Sequence, residues 1–424
     1  MKRTVSDWLE YLESLHPSEI ELGLERIRGV AERLNCLKPA PLVILVAGTN
    51  GKGTSSALLA NLLRAQGMTV GVYSSPHIQR YNERVQINGE QISDAELLHS
   101  FEQVEAVRGD VGLTYFEFGT LAALSHFQHQ ALDACVLEIG LGGRLDAVNI
   151  VAADISLVTS IGLDHQAWLG DTVEQIAFEK CGVARSGKYL VCGQPSPPPT
   201  AKQQTETLGG QWCGRGQHFD IVEQDEGLLL SFMTDQGQAE WHLPAAKIPY
   251  HNVATAIQAL ALLGRLPNRA VVAEVVANTA VAGRLQQLEV PVSGGVLQLT
   301  LDVAHNQQAA AYIGQRLSGV NGAIIAMLED KPVAELVAAL PDMAHYRLAG
   351  LDCWRGLSAG QLQQRLQQDG FCRPVEKFDT VAAALDDLLQ QPDLAGQHWL
   401  IGGSFYTVEA ALNHLALNHG QPHG

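Results

Sequence analysis

From Leu42 onward, short apolar, β-branched runs alternate with longer stretches in which apolar residues recur at helical spacing. LVILVAG, TVGVY, DACVLEIG and the runs at Ile155 to Ser160 and Tyr189 to Cys192 read as strands, with helices predicted from about Ser55 to Gln66 and from about Asp94. Strands that alternate with helices make βαβ units and imply a mostly parallel sheet. Period-two alternation then takes over in HFDIVEQ, GLLLSFMTD and QAEWHLP, which predicts a small antiparallel patch, followed by a helix from about Asn252 to Leu263. In a second series, VLQLTLDVAHN, GAIIAMLED, YRLAGLD, RPVEKFD and HWLIGGS each precede a helical segment, so a second α/β domain with its own sheet is expected from about Arg284 to the end. Ahead of the first series, Trp8, Leu9, Leu12 and Leu15, then Leu24, Ile27 and Leu34, predict a pair of helices that read as a flap and not as core. QPSPPPT reads as a surface connection, because proline neither continues a helix nor donates to a ladder.

Composition narrows this picture. At about 150 residues per domain, 424 residues make two or three domains, and 46% apolar residues suffice for a sizeable core in each, which excludes a disordered or fibrous chain. Lys and Arg number 28 against 45 Asp and Glu, a net charge of -17. So acidic a surface matches neither a nucleic-acid backbone nor an anionic membrane, so neither is expected as a partner and any anionic ligand must be met by locally placed residues. No apolar run approaches the roughly 18 residues of a membrane span, and Asp7 and Glu10 interrupt any signal-like segment, so a soluble, cytoplasmic protein is expected. Seven cysteines without a CxxC pair form neither a disulfide framework nor a zinc knuckle and are expected to be buried, reduced thiols.

Candidate chemistry begins at VAGTNGKGT, Val46 to Thr54, where a glycine-rich turn follows an apolar strand and precedes a helix. Glycines let backbone N–H groups close on phosphate oxygens, and Lys52, expected on an exposed loop tip, adds a charge that reaches the terminal phosphates. The spacing departs from the common Walker pattern, since Gly53 intervenes between Lys52 and the Thr54 hydroxyl. Glu138 ends an apolar strand, where its carboxylate would project from the carboxyl edge of the sheet and suit magnesium. Ser75 in YSSPH and His165 in GLDHQAW also follow strands and are candidate ligands, though a strand-end carboxylate or a lone histidine also occurs for structural reasons alone.

The motifs GTNGKGT, YSSPH, ERVQING, LTYFEFGTLAAL, LEIGLGGRLDAVN, TSIGLDHQAWLG, FEKCGV, AGRLQ, LDVAHN and GGSFYTV, after SDWLEYLESLH and LGLERI, stand in one order along almost the whole chain. In this the chain resembles the Mur ligase superfamily, and within it the folylpolyglutamate synthase/dihydrofolate synthase branch. The resemblance implies an α/β architecture: a P-loop ATPase domain over residues 1–283 with a mostly parallel sheet and a small antiparallel patch, then a Rossmann-like α/β domain over 284–424, with active sites in the cleft between them. It also implies ATP and magnesium at two sites, with L-glutamate, dihydropteroate and reduced folates as small-molecule substrates of a monomeric enzyme.

Site residues follow from the same resemblance. ATP would be held by Gly48, Thr49, Asn50, Gly51, Lys52, Gly53 and Thr54, and by Asn252, Arg284 and Asp302 for its adenine, phosphate and ribose portions. Ser75 and Glu138 would hold the first magnesium, and Glu138 and His165 the second. Lys180, by itself an ordinary helix-surface lysine, would be carbamylated and support the second metal site, making Lys52, Glu138, His165 and Lys180 the catalytic set. Glu21, Leu22, Gly23 and Leu24, with Thr114, Tyr115, Phe116 and Glu117 and with Leu145, Asp146 and Ala147, would line the dihydropteroate site. The reaction implied is activation of a carboxylate as an acyl phosphate, then attack by the amine of glutamate. A monofunctional folylpolyglutamate synthase, a non-catalytic nucleotide-dependent binding protein and a murein-precursor ligase are the alternatives.

Overall fold

The computed structural model describes residues 3–18 and 20–419, and the chain divides into a compact unit that ends at Thr279 and another that begins at Ala280. The first unit opens with helices α1 (Val5–Ser14) and α2 (Glu25–Arg33). Then come β1 (Leu42–Ala47), α3 (Lys52–Arg64), β2 (Val70–Tyr73), β3 (Val85–Ile87), β4 (Glu90–Gln91), α4 (Asp94–Arg108), α5 (Tyr115–Gln128), β5 (Ala134–Glu138) and β6 (Ile155–Val158). The unit continues through α6 (Gln166–Leu169), α7 (Val173–Cys181), β7 (Tyr189–Cys192), α8 (Pro199–Thr207), β8 (Gln211–Gly214), β9 (Asp220–Gln224), β10 (Gly227–Thr234), β11 (Gly237–Leu243), α9 (Tyr250–Leu262) and α10 (Arg269–Asn278).

Eight strands make one sheet in the order β4-β3-β2-β5-β1-β6-β7-β8, while β9, β10 and β11 form the separate antiparallel patch. The large sheet is parallel from β2 to β8, with β3 and β4 added antiparallel at one edge. Strand β1 lies between β5 and β6, and its successive side chains serve opposite layers. Val43, Leu45 and Ala47 join a core shared with α1, α2, α4, α5 and α7; Ile44 and Val46 join one shared with α3 and α9. Burial on both faces is why this run reads as continuously apolar.

The first two helices are not a flap. Trp8 and Leu12 on α1 and Ile27 and Val30 on α2 are buried in the core, with the Trp8 ring 5.6 Å from that of Phe101 and 6.1 Å from that of Phe118. An apolar stripe at three- and four-residue spacing needs a partner surface, and α4 and α5 provide it. Helix α3 begins at Lys52, ahead of the expected Ser55, because Gly51 takes the left-handed conformation (φ 87°) and turns the chain directly into the helix. Pro199 opens α8 where no helix was expected; a proline in the first turn sacrifices no hydrogen bond, since that N–H has no intrahelical acceptor. Of the seven free cysteines, five are buried, but Cys353 is half-buried and Cys372 exposed.

The second unit contains β12 (Gln286–Val292), β13 (Gly295–Asp302), α11 (Gln307–Arg316), β14 (Gly322–Ile325), α12 (Val333–Ala339), β15 (His345–Ala349), α13 (Ala359–Gln368), β16 (Glu376–Phe378), α14 (Val381–Leu389), β17 (His398–Gly402) and α15 (Phe405–His419). Its sheet runs β12-β13-β17-β14-β15-β16 and is parallel except for β12, a hairpin partner of β13. The sequence reading missed β12; its one-sided alternation, with Leu288 and Val290 buried and Pro291 exposed, is that of an edge strand. Among the described residues no helix is long and apolar enough to cross a membrane.

If α1 is core, Trp8→Ala removes a large buried ring and should lower the unfolding free energy of the first unit by about 3–5 kcal/mol in urea titrations. A loss below about 1 kcal/mol would fit a detached flap instead.

Candidate active site

Three segments leave the carboxyl edge of the first sheet side by side, from β5, β1 and β6. The loop after β1 turns at Gly48 (φ 145°) and Gly51 (φ 87°), and substitution at either is sterically blocked: a Cβ on Gly48 would stand 2.0 Å from Thr159 Oγ1, and one on Gly51 2.6 Å from the Asn252 side-chain amide. Lys52 is half-buried in the first turn of α3, not at an exposed loop tip, and its Nζ donates back to the Gly48 and Thr49 carbonyls at 3.1 and 3.3 Å. The loop thus holds its own cation over a helix N-terminus, where orphan N–H groups and the helix dipole favour an anion. Asn252, near the start of α9, donates from Nδ2 to Thr54 Oγ1 at 2.7 Å, and its Oδ1 is buried without a partner. Thr54 Oγ1 in turn donates to the Gly51 carbonyl at 3.0 Å.

Glu138 ends β5, is buried, and accepts from the Ser75 N–H at 3.4 Å; a Cβ on Gly53 would lie only 3.8 Å from its Oε2. The carboxylate therefore hangs over the start of α3, with the Ser75 segment alongside. His165 stands past β6 in the left-handed conformation, exposed, with its ring Nε2 4.0 Å from Asp164 Oδ2. Among the described residues no three His, Cys, Asp or Glu side chains converge as an all-protein metal cage. Magnesium does not need one, since it binds through one or two carboxylates, hydroxyls, water and phosphate oxygens. Glu138, Ser75 and the open backbone at Gly53 fit that donor set.

Lys180 lies in the last turn of α7 as a buried residue, not a surface one. Burial, together with the Lys52 ammonium, pushes its pKa down to about 7 against the opposing pull of Asp164 and Asp146. A sizeable neutral fraction near neutral pH gives it nucleophilic character. Asp146 is also buried, and desolvation raises its pKa to about 6 although it accepts the Leu141 and Val148 N–H groups at 2.8 and 2.9 Å. Those bonds hold the turn of the segment after β5, and Arg144 ties it to α7, its N–H donating to the Glu179 carbonyl and its guanidinium pairing with the Glu179 carboxylate, both at 2.8 Å. Leu145 and Ala147 flank Asp146 on that segment.

Glu21 to Leu24 and Thr114 to Glu117 come together through Arg26, a residue the sequence reading passed over. Its guanidinium pairs with Glu21 and, at 3.0 Å, with the buried Glu117, while His16 contacts Glu21 at 2.8 Å. Glu117 also closes the capping box of α5, accepting from the Thr114 N–H at 2.8 Å. Tyr115 packs edge-on to Tyr81 under the Arg84 guanidinium, and Phe116 lies against Gly140. Leu22 and Gly23 are half-buried between Glu21 and the start of α2.

Within the second unit, Asp302 ends β13 buried and accepts from the Leu285 and Ala304 N–H groups, both at 2.8 Å. Burial raises its pKa against the opposing charges of Arg284 and His305. The Arg284 guanidinium lies 5.4 Å from the Phe405 ring centre. Arg284 and Asp302 therefore share one end of this sheet. Sequence reasoning also missed Thr159 and Ser160, whose signal was present: hydroxyls directly after an apolar strand, beside a glycine loop that lacks its own anchors.

A glycine loop between strand and helix at the carboxyl edge of a parallel sheet, joined to a second α/β unit, defines a P-loop nucleotide-binding protein of two units. The chain belongs to the dihydrofolate synthase/folylpolyglutamate synthase family. It is 41% identical over 411 residues to the Escherichia coli (strain K12) dihydrofolate synthase/folylpolyglutamate synthase, covering 95% of this chain and 94% of that one. The structure of E. coli FolC in complex with DHPP and ADP superposes with a TM-score of 0.89 at 40% identity, covering 98% of both chains. A bifunctional folylpolyglutamate synthase/dihydrofolate synthase with Mn, AMPPNP and L-glutamate bound superposes with a TM-score of 0.87 at 42% identity, covering 97% of this chain and 98% of that one. No protein-family model matches the chain.

The low pKa of Lys180 has a measurable sign. Its folded-state value, about 7, lies below the ordinary 10.5, so between these the unfolded chain holds the extra proton and the contribution of Lys180 to stability rises with pH. In carbon-dioxide-free buffer Lys180→Met should therefore stabilise the protein most near pH 7, and the gain should shrink by up to about 1.4 kcal/mol per pH unit toward pH 10. A gain independent of pH in urea titrations would contradict the buried, weakly basic amine.

Proposed function

We propose that this protein is an ATP-dependent carboxylate–amine ligase that joins L-glutamate to 7,8-dihydropteroate, forming dihydrofolate, and adds further glutamates to reduced folates. The observation that carries the reading is the gathering of Lys52, Glu138 and Lys180 at one sheet edge around a glycine loop. Membership in a family whose relatives carry both activities in their names supports the bifunctional form. The net charge of -17 and the small-molecule site support a monomer working in the cytoplasm on substrates of this size and not on nucleic acid or membrane.

The acceptor carboxylate attacks the γ-phosphorus, the bond to the β-phosphate oxygen breaks, and ADP leaves an acyl phosphate behind. The glutamate amine then attacks the acyl carbon, the C–O bond to phosphate breaks, and the amine gives up a proton. Gly48 to Thr54 receive the phosphates through backbone N–H groups, and Lys52 stabilises charge as it moves toward the leaving oxygen. Ser75 with Glu138, and Glu138 with His165, would hold two magnesium ions, which when bound neutralise charge on the transferred phosphoryl group. Asn252 fixes Thr54 below the loop. The segments Glu21 to Leu24, Thr114 to Glu117 and Leu145 to Ala147 form the dihydropteroate site.

Lys180 serves as a carbamate. Its neutral amine adds to carbon dioxide and loses a proton, replacing a buried cation beside Lys52 with an anion suited to a magnesium site.

With labelled glutamate and ATP, the purified protein should ligate both dihydropteroate and a reduced folate, releasing phosphate in step; use of folates alone would leave a monofunctional synthase. Lys180→Ala should lose most activity and regain part of it when a short carboxylic acid is added, whereas Lys180→Arg should stay inactive with or without the acid. Near-parental activity of Lys180→Arg would eliminate the carbamate.

A further inference from the structure

The turn that follows β6 grips the phosphate loop. Thr159 Oγ1 donates to the Asn50 carbonyl at 2.6 Å and lies 3.2 Å from the Ala47 carbonyl, which also accepts the Thr159 N–H at 2.9 Å. Ser160 Oγ donates to the same Asn50 carbonyl at 3.0 Å and accepts the Asn50 N–H at 2.9 Å. The Ser160 carbonyl takes the Thr49 N–H at 2.9 Å, and the Thr49 hydroxyl exchanges bonds of 3.1 and 3.0 Å with the Gly162 carbonyl and N–H. Thr159 and Ser160 are 1% and 5% exposed, so water does not compete for these hydroxyls.

The consequence is directional. A trans peptide is planar, with its C=O and N–H pointing opposite ways. Drawing the Asn50 carbonyl toward β6 aims the Gly51 N–H away from it, and holding the Ala47 carbonyl does the same for the Gly48 N–H. The N–H groups of Thr49 and Asn50 are consumed in the grip, while among the described residues those of Gly51, Lys52, Gly53 and Thr54 have no acceptor in the protein. These are the groups left to meet phosphate. The absence of a side chain at Gly48 is part of the same fit, because Thr159 Oγ1 occupies the space a Cβ would need.

We propose that Thr159 and Ser160 are positioning residues for ATP: their hydroxyls, without touching the nucleotide, set the peptide planes of the phosphate loop so that its free N–H groups face the phosphates. This rests on the nucleotide reading of the loop given above. Thr159→Val keeps the shape and removes the hydroxyl; Thr159→Ser keeps the hydroxyl and removes the methyl group.

Titration calorimetry with ADP and magnesium, together with steady-state rates, provides the test. Thr159→Val should weaken ADP binding and raise the ATP KM by about tenfold or more, while the dihydropteroate KM stays within about twofold of the parent. Ser160→Ala should change the same quantities in the same direction, and Thr159→Ser should recover the ATP KM to within about threefold. Thermal melting establishes that each variant is folded. Parental ADP affinity in folded Thr159→Val overturns the inference alone, as does equal loss in the Val and Ser variants, because side-chain shape would then matter and the hydroxyl would not. A parent protein that binds no ADP would bring down the nucleotide reading and this inference with it.

Discussion

A chain carrying a net charge of -17 has to receive a polyanion, and the glycine loop at the first unit's carboxyl edge answers that conflict. Bulk charge repels phosphate, so attraction is confined to groups fixed within a few ångströms, where dipoles and one ammonium outweigh a screened distant field. Backbone N–H groups suit this because they carry no counter-charge and are immobile once the helix behind them is packed. Strand β1 supplies the immobility. It is buried between β5 and β6 with a core on each face, so the loop leaving it is anchored in a strand paired on both sides and packed on both faces.

The same crowding puts ionisable groups where they are unstable as ions. Lys180 and Asp146 are both buried within electrostatic reach of Lys52, and burial shifts each toward its neutral form. Such groups persist in a fold at some loss of stability, a pattern more typical of working sites than of packing. Glu117, a further buried carboxylate, has the Arg26 guanidinium and the Thr114 N–H as partners. Its burial is compensated locally, which lets one carboxylate cap α5 and tie α2 to it at once.

The order of strands and helices was legible because a doubly covered parallel sheet writes itself as apolar runs between helical periods. What was lost follows from the same logic. The stripe of α1 was visible, but a periodic stripe specifies a buried face without naming its partner, so Trp8 was assigned to a flap and found in the core. Strand β12 escaped because an edge strand buries only alternate residues and contains a proline. At the site, the glycine loop and Glu138 announced themselves through position relative to strands, but the burial of Lys180 did not, since helix periodicity cannot tell a lysine beneath a neighbouring loop from one in water. Arg26 was invisible for a simpler reason: its partner Glu117 is 91 residues away, and ion pairs at that separation leave no local pattern.

The segment after β6 links these levels. Over a few residues it passes from strand to the hydroxyls that hold the phosphate loop, then to Asp164 and His165. A displacement of the loop by phosphate must therefore be felt at Asn50, Thr159 and Ser160 before it reaches the residues beyond. Hydrogen bonds between rigid, buried groups transmit such displacements because alternative partners are absent and breaking one leaves a polar atom unsatisfied. The loop and one candidate metal ligand, His165, are consequently placed by one continuous piece of chain, whereas Ser75 and Glu138 reach the same edge from β2 and β5.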